Sequence, residues 1–336
     1  MKPNIFFIGS QENINITIKS SSCNISAIWR NSYCRHFLRW EVFVPNICAT
    51  FLVKKVYISG NFVAIERYDI VEWDEIKNEV SRNEIINSSN RIKVENRNIK
   101  GTISLQGGII DDIIFKNYNE TLGSENKVVF LNPKNSYNEY FIETGWASGG
   151  VEKIKLPSLD TIWKSKGSGI LTPSSPILLE WNNGDGLIFT KKIELDEKFL
   201  FKITQNIKNN TNKSFQFYPY AQITRKGGAE GRQIYILHEG FLGVFGDELK
   251  EENFDDVEKE KFTITSSKGW LGITDKYWLT AIVPEKGSEF KAEFLGKNEK
   301  YRANYIIKDP KILNPGSSIT NNINAFVAAK EVSVID

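Results

Sequence analysis

The sequence predicts a mostly all-β chain, built chiefly as a single large antiparallel sandwich. Apolar and polar residues alternate in many short runs. Gly, Pro and Asn turns separate these runs, and helical patterns are few. The third observation is one stretch, Ser266 to Pro284, which reads SSKGWLGITDKYWLTAIVP. Ser267-Lys268-Gly269 is a turn signal, and Trp270 to Thr274 and Lys276 to Val283 have strand composition. In the second run Tyr277, Leu279, Ala281 and Val283 share one face, with Trp278 and Ile282 on the other. A strand apolar on both faces needs cover on both, which places it in the middle of a sandwich. Pro284 has no N–H to give a ladder and ends it.

The N-terminal 90 residues read differently from the rest. Ile14, Ile16 and Ile18 alternate as a strand would, and Val42-Phe-Val44 and Phe51-Leu-Val53 are further apolar runs. Trp73 to Ile86 puts Ile76 and Val80 at helical spacing with Asp74 and Glu75 in a first turn, so a short helix is expected there. No architecture follows for residues 1–90 as a whole, and the domain boundary is expected near 90.

From Arg91 onward the pattern is regular. Ile92 and Val94 alternate with charge, and Gly101 to Leu105 is a short strand broken by Gly107-Gly108. Ile109 to Tyr118 resumes it with Ile113 and Phe115 on one face, so this unit is a hairpin or a bulged corner. Lys127 to Leu131 is a strand stopped by Asn132-Pro133, and Asn138 to Trp146 is another. Ile177 to Trp181 and Leu187 to Leu195 flank the turn Asn182-Asn-Gly-Asp-Gly186 and form a hairpin. Phe199 to Ile207 alternates along a long strand, Asn209 to Lys213 turns it, and Ser214 to Ile223 returns. Asp247 to Lys261 is strongly acidic, with only Leu249 and Val257 as aliphatic residues, and reads as an exposed loop with one helical turn. Strands follow at Phe290 to Leu295, Tyr301 to Lys308 and Ser318 to Ala328, with a turn at Asn314-Pro-Gly316. Lys330 to Asp336 begins a helix.

Composition narrows the function. With 336 residues, 40% hydrophobic and 12% aromatic, the chain can build a true core. A net charge of +2 argues against nucleic acid as the main partner. No run approaches the ~18 apolar residues of a membrane span. No basic start followed by an apolar stretch marks a signal peptide. Cys23, Cys34 and Cys48 all precede residue 49, so the main body needs no disulfides.

Residues suited to chemistry are sparse. The intervals among Cys23, Cys34, His36 and Cys48 are irregular for a zinc site. His238 and Glu239 are neighbours, and adjacent strand residues point to opposite faces, so they do not converge as an acid–base pair. Gly167-Ser-Gly169 and Gly227-Gly228 match no phosphate-binding pattern. Neither Asp111-Asp112 nor Asn182 to Asp185 has the loop of a calcium site. Trp163, Trp181, Trp270, Tyr277 and Trp278 fit a core better than a sugar-stacking platform. No catalytic residue, cofactor site or metal site is expected. A partner contact is expected in the acidic stretch, at Phe254 with Phe241 and Phe245 nearby.

Residues 91–336 resemble the large periplasmic domain of YidC-type membrane protein insertases. The likeness is carried by Gly101-Thr-Ile-Ser-Leu-Gln-Gly-Gly108 with Ile109 to Tyr118, by Phe201 to Ser214 (FKITQNIKNNTNKS), and most strongly by Ser266 to Pro284; the tail through Asn314-Pro-Gly316 agrees. These motifs are structural, not catalytic. The resemblance implies a super-sandwich akin to galactose mutarotase and a non-catalytic interaction or scaffold module. It implies a place on the periplasmic face of the inner membrane, with Sec translocon components and nascent membrane proteins as partners. It also implies an anchor helix before the domain and five spans after it; the first 85 residues do not read as that anchor, and the spans are expected to be missing from this chain. A truncated or split product, or a fragment, unable to insert proteins alone, is therefore expected. The rival expectation is a mutarotase-like sugar enzyme or a carbohydrate-binding module. Paired histidines and a carboxylate would be needed for the enzyme, and only His36 and His238 are present.

Overall fold

The computed structural model describes residues 80–330 with their side chains, apart from 122, 150–153, 168 and 228–237, and the strands given below as backbone in 1–79. The chain divides into two units, Met1–Glu79 and Val80–Asp336. In the first, β1 (Asn4–Ser10), β2 (Asn13–Ser20) and β3 (Cys23–Ile28) form one antiparallel sheet. A second sheet holds β4 (Arg39–Val44), β5 (Ile47–Ser59) and β6 (Phe62–Asp74). The alternation at Ile14, Ile16 and Ile18 falls in β2.

The second unit opens with α1 (Arg82–Ser88). The helix expected over Trp73 to Ile86 is corrected: β6 takes Trp73 and Asp74, and the helix starts only at Arg82. What fixes its start is a capping box. Ser81 Oγ accepts from the Glu84 N–H at 3.3 Å, and Glu84 Oε2 accepts from the Ser81 N–H at 2.9 Å. The Ser81-Arg-Asn-Glu84 signature was in the sequence and outweighs the acidic pair at 74–75.

The remaining strands are β7 (Arg91–Glu95), β8 (Ile99–Ser104), β9 (Ile109–Asn119), β10 (Lys127–Leu131), β11 (Tyr140–Gly149), β12 (Lys164–Lys166), β13 (Ile170–Leu171), β14 (Ile177–Asn182), β15 (Leu187–Leu195) and β16 (Leu200–Asn209). They continue with β17 (Phe215–Lys226), β18 (Gly240–Phe245), β19 (Glu248–Glu252), then α2 (Phe254–Lys259), β20 (Phe262–Ser266), β21 (Gly269–Thr274), β22 (Trp278–Val283), β23 (Phe290–Lys297), β24 (Lys300–Ile307), β25 (Lys311–Leu313) and β26 (Ser318–Ala329). One sheet runs β13-β7-β8-β9-β11-β17-β24-β23-β20, with β10 on β9 and β25 on β17. The other runs β12-β14-β15-β16-β26-β22-β21-β18-β19. The pairing is antiparallel except for β13 on β7.

The Ser266 to Pro284 stretch is central. β22 lies between β26 and β21, and Leu279, Ala281 and Ile282 are buried although they point to both faces. Burial of the Leu279 and Ile282 side chains contributes about 1.5–3 kcal/mol each. Trp278 crosses to the other sheet and stacks on Phe115 of β9, centroids 4.8 Å apart. Phe241 of β18 stacks on Phe294 of β23 at 4.9 Å, and Phe189 of β15 meets Phe217 of β17 edge-on at 6.4 Å. Aromatic contacts therefore bind the two sheets along their length. Tyr277 departs from expectation: it precedes the strand and is 55% exposed.

β8 and β9 pair as expected, with a register shift at Thr102/Ile103. Gly101 is required there, because a Cβ would stand 1.9 Å from the Asp112 carbonyl oxygen. The turn before β15 is held by Asn183 Oδ1, which accepts from the N–H groups of Asp185 and Leu187 at 2.8 and 3.0 Å. No calcium is needed to explain it.

β16 and β17 are the chief topological surprise. The turn at Asn209 to Lys213 does not close a hairpin; it carries the chain from one sheet to the other. Asn209 is fully buried and clasps the crossing. Its Nδ2 donates to the carbonyls of Lys213 (2.7 Å) and Asn314 (3.1 Å), and its Oδ1 accepts from Thr211 N–H (2.9 Å) and Oγ1–H (2.7 Å). Within the acidic stretch, β19 was not anticipated: its ELKEE sequence is an edge strand with no buried face, so no apolar alternation marks it. The helical turn expected there is α2. The helix expected over Lys330 to Asp336 falls, beyond Lys330 itself, on residues outside those described.

Candidate functional site

The two sheets end side by side at β19 and β20, and α2 links these end strands. A short helix of acidic residues can close such an edge only by burying an apolar side. Phe254 and Val257 supply it, at 7% and 2% exposure. Phe254 packs on Tyr301 at 4.3 Å and on Phe241 at 5.5 Å. Phe245 meets Phe262 and Phe290 at 6.2 and 6.4 Å. The three phenylalanines expected to meet a partner are thus core residues, and the expectation is corrected for their rings. They were grouped rightly as a cluster, but a sandwich edge needs plugging from inside, and that use consumed them.

What this edge presents outward is charge. Asp247, Glu248, Glu251, Asp255, Asp256, Glu258 and Glu260 are exposed, with Lys250, Lys259 and Lys261 among them. Leu249 stands out at 57% exposure. Among the described residues β19 pairs only with β18 and β20 only with β23, so there each keeps one backbone edge outside the ladder. Behind the edge, Arg225 pairs with Asp275 and lies over the rings of Tyr140 (5.2 Å) and Phe254 (5.6 Å). The acidic surface therefore sits on a packed aromatic and ionic base.

A second cluster lies inside the sandwich. β11 pairs with β9 only at Ile142↔Ile110, and the sheet splits beyond that point. Lys191 reaches in from β15 of the opposite sheet. Its Nζ donates to the carbonyls of Gly108 (2.9 Å) and Thr144 (3.1 Å) and lies 5.3 Å from the centroid of Trp163. It is 2% exposed. Burial lowers its pKa to about 8, and Glu143 opposes the shift. Gln205, its ladder partner on β16, donates to the Gly145 carbonyl at 3.4 Å. On the other face of β11, Glu143 Oε1 accepts from the Tyr220 hydroxyl at 2.7 Å. Tyr220 lies across Gly145, where a Cβ would meet its hydroxyl at 2.6 Å. This cluster fills a gap in the sheet, and no sequence signal marked Lys191.

Asp111 and Asp112 are paired as well. Arg91 binds Asp111, and Arg82 of α1 binds Asp112, whose second oxygen accepts from the Thr102 hydroxyl at 2.7 Å. Burial raises the pKa of Asp111 to about 6, with Arg91 pulling it down. His238 is held by the chain, its Nε2 2.7 Å from the Phe241 carbonyl oxygen. His36, Cys23, Cys34 and Cys48 lie outside the residues described with side chains. Of the tryptophans, Trp163 is buried under Lys191 and Trp278 packs on Phe115, so they serve the core at separate places. A groove of about 620 Å³ opens where β22 ends, lined by Lys268, Val283, Pro284, Phe290, Asn322 and Asn324 among others. Among the described residues no three His, Cys, Asp or Glu side chains are grouped to hold a metal.

A family model of the YidC periplasmic domain matches residues 91–336. This chain belongs to that family. A curated relative named membrane protein insertase YidC from Pelagibacter ubique is 43% identical over 257 residues, covering 76% of this chain and 46% of that protein. The protein of the same name from Rickettsia bellii is 39% identical over 255 residues, covering 73% and 45%. The chain thus spans less than half the length of these relatives. A galactose mutarotase related enzyme from Lactobacillus acidophilus superposes with a TM-score of 0.51 at 9% identity, covering 72% of this chain and 99% of that one. That likeness establishes the mutarotase-like super-sandwich and nothing about chemistry. The YidC match begins at Arg91, the first residue of β7, after the helix that opens the second unit. No helix among the described residues is long and apolar enough to cross a membrane.

Proposed function

We propose that this YidC periplasmic domain is a non-catalytic docking and scaffold module of a membrane protein insertase, working at the periplasmic face of the inner membrane. It aids the insertion and folding of membrane proteins, and its partners are Sec translocon components and nascent membrane chains. The observation that carries the reading is the acidic edge of β19, α2 and β20. It joins exposed carboxylates, the exposed Leu249 and two strand edges that are unpaired among the described residues, on a packed base. Such an edge suits an extended, basic segment of a partner, bound through backbone pairing with charge to fix register. Interface contacts of this kind need no reactive group.

The test places a photo-reactive residue at Leu249 in the insertase that contains this domain. Cross-linking to a Sec component, abolished when Glu248, Glu251, Asp255 and Asp256 are changed to Lys, is expected. Cross-links that survive charge reversal would remove the edge from the function. The sugar-acting alternative has one observation in its favour, the groove at the end of β22 on a mutarotase-like fold. Calorimetry with common aldoses decides it: affinity tighter than millimolar would favour sugar binding over the scaffold.

A further inference from the structure

The chain enters and leaves the second unit at the same end. Val80, its first residue, forms a bridge with Ser136, and after β26 the N–H of Lys330 donates to the Tyr277 carbonyl at 2.8 Å. Hydrogen bonds tie the intervening loops together there. Lys226 N–H donates to Glu139 O and Gly227 N–H to Glu299 O, both at 2.8 Å, and Lys300 pairs with Glu139 at 2.5 Å. Lys330 Nζ reaches the His238 carbonyl at 3.4 Å. Large apolar side chains are exposed in few places among the described residues, and Val80 (38%), Tyr137 (68%) and Tyr277 (55%) all stand at this end. Each tyrosine carries a lysine: Lys226 Nζ lies 5.7 Å from the Tyr137 ring and Lys276 Nζ 4.9 Å from the Tyr277 ring.

We propose that this end rests on a phospholipid headgroup layer, with Tyr137 and Tyr277 set into it and Lys226 and Lys276 beside them. The inference rests on the insertase reading, since a membrane-embedded segment joined on either side of the unit is then reached from this end. Tyrosine and lysine both pair an apolar body with a polar tip, which is the chemistry of the bilayer interface. Net charge does not drive the contact. Glu139 and Asp275 are spent on Lys300 and Arg225, and α2 brings its acids to the same end through the Glu299 N–H to Glu258 bond at 2.9 Å. The surface is mixed in sign, so the rings do the reading and lipid phosphates accept from Lys276. The contact is weak on its own, and a tether to the membrane raises it through effective concentration.

The experiment is flotation of the 336-residue chain with vesicles of phosphatidylethanolamine and phosphatidylglycerol. A small bound fraction that persists at high salt is expected. Tyr137→Ser with Tyr277→Ser lowers the partition coefficient about fivefold or more, and Tyr→Trp at both sites raises it. Both side chains are exposed, and near-UV circular dichroism checks that the fold is kept. A parent chain that stays unbound, or a double Ser variant that floats like the parent, would overturn the proposal. So would binding that vanishes at high salt, because it would be electrostatic. Complementation of insertase-depleted cells reports separately on the underlying reading.

Discussion

The ammonium of Lys191, on β15, lies 2.9 Å from the carbonyl oxygen of Gly108, in the turn that leads into β9 of the opposite sheet. Gly108 is in the left-handed region (φ 59°), so its carbonyl leaves the line of the ladder where β9 begins. With Thr144 O also bound, the lysine supplies donors that a neighbouring strand would have supplied. Lys191→Ala is expected to lose about 3 kcal/mol, from two orphaned carbonyls and a cavity, read as a lower urea midpoint. Lys191→Met, which removes the buried charge and keeps the volume, is expected to cost less.

The same lysine sets a pH dependence. Its folded pKa of about 8 lies below the unfolded value of ~10.4. Between these values the unfolded chain holds more protons, so stability rises with pH, by roughly 2–3 kcal/mol from this group. Above pH ~10 buried Tyr140 and Tyr305 reverse the slope, because burial raises their folded pKa and the unfolded chain ionises first. Urea midpoints from pH 7.5 to 10 measure the rise, and its persistence in Lys191→Met would show that another group causes it.

Asn209 has no stand-in at the crossing from β16 to β17. Asn209→Ala is expected to cost about 2–4 kcal/mol, since several turn groups lose partners at a buried site. Asn209→Asp tests the donor side alone: an ionised carboxylate can still accept from Thr211 but cannot donate to Lys213 and Asn314. It should be at least as damaging as Ala by chemical denaturation.

Arg91 and Asp111 form a buried pair with Arg82 and Asp112 beside them. Removing either partner alone is expected to cost about 3–5 kcal/mol, and removing both much less than the sum. The raised pKa of Asp111 means that the fold holds its proton more tightly than the unfolded chain. Acidification from pH ~6 to ~4 therefore favours the fold through this group, and Asp111→Asn should abolish that contribution. A double-mutant cycle at pH 5 and pH 7 measures both effects.

Gly101 is the most constrained glycine of the β8–β9 corner. Gly101→Ala forces a methyl against the Asp112 carbonyl and should cost about 2–4 kcal/mol by opening that ladder. Thermal unfolding of the variant gives the answer.

The alternation of Phe201, Ile203 and Ile207 and the two-faced apolarity of Leu279 to Ile282 were enough to read a sandwich from the sequence alone. Period-two patterning decides which residues must be covered, and that is a local property. The resemblance carried by Ser266 to Pro284 likewise needed only the order of residues. The tertiary structure decided the partners. Whether β17 returns beside β16 or crosses to the other sheet depends on carbonyls at Lys213 and Asn314 that only folding brings to Asn209. Phe241, Phe245 and Phe254 were seen as a cluster, yet only the position of β19 and β20 at the sandwich edge turned their rings inward and left acids outside. Lys191 was invisible for the same reason: a buried lysine is specified by two carbonyls far along the chain, and non-local hydrogen bonding leaves no periodic trace.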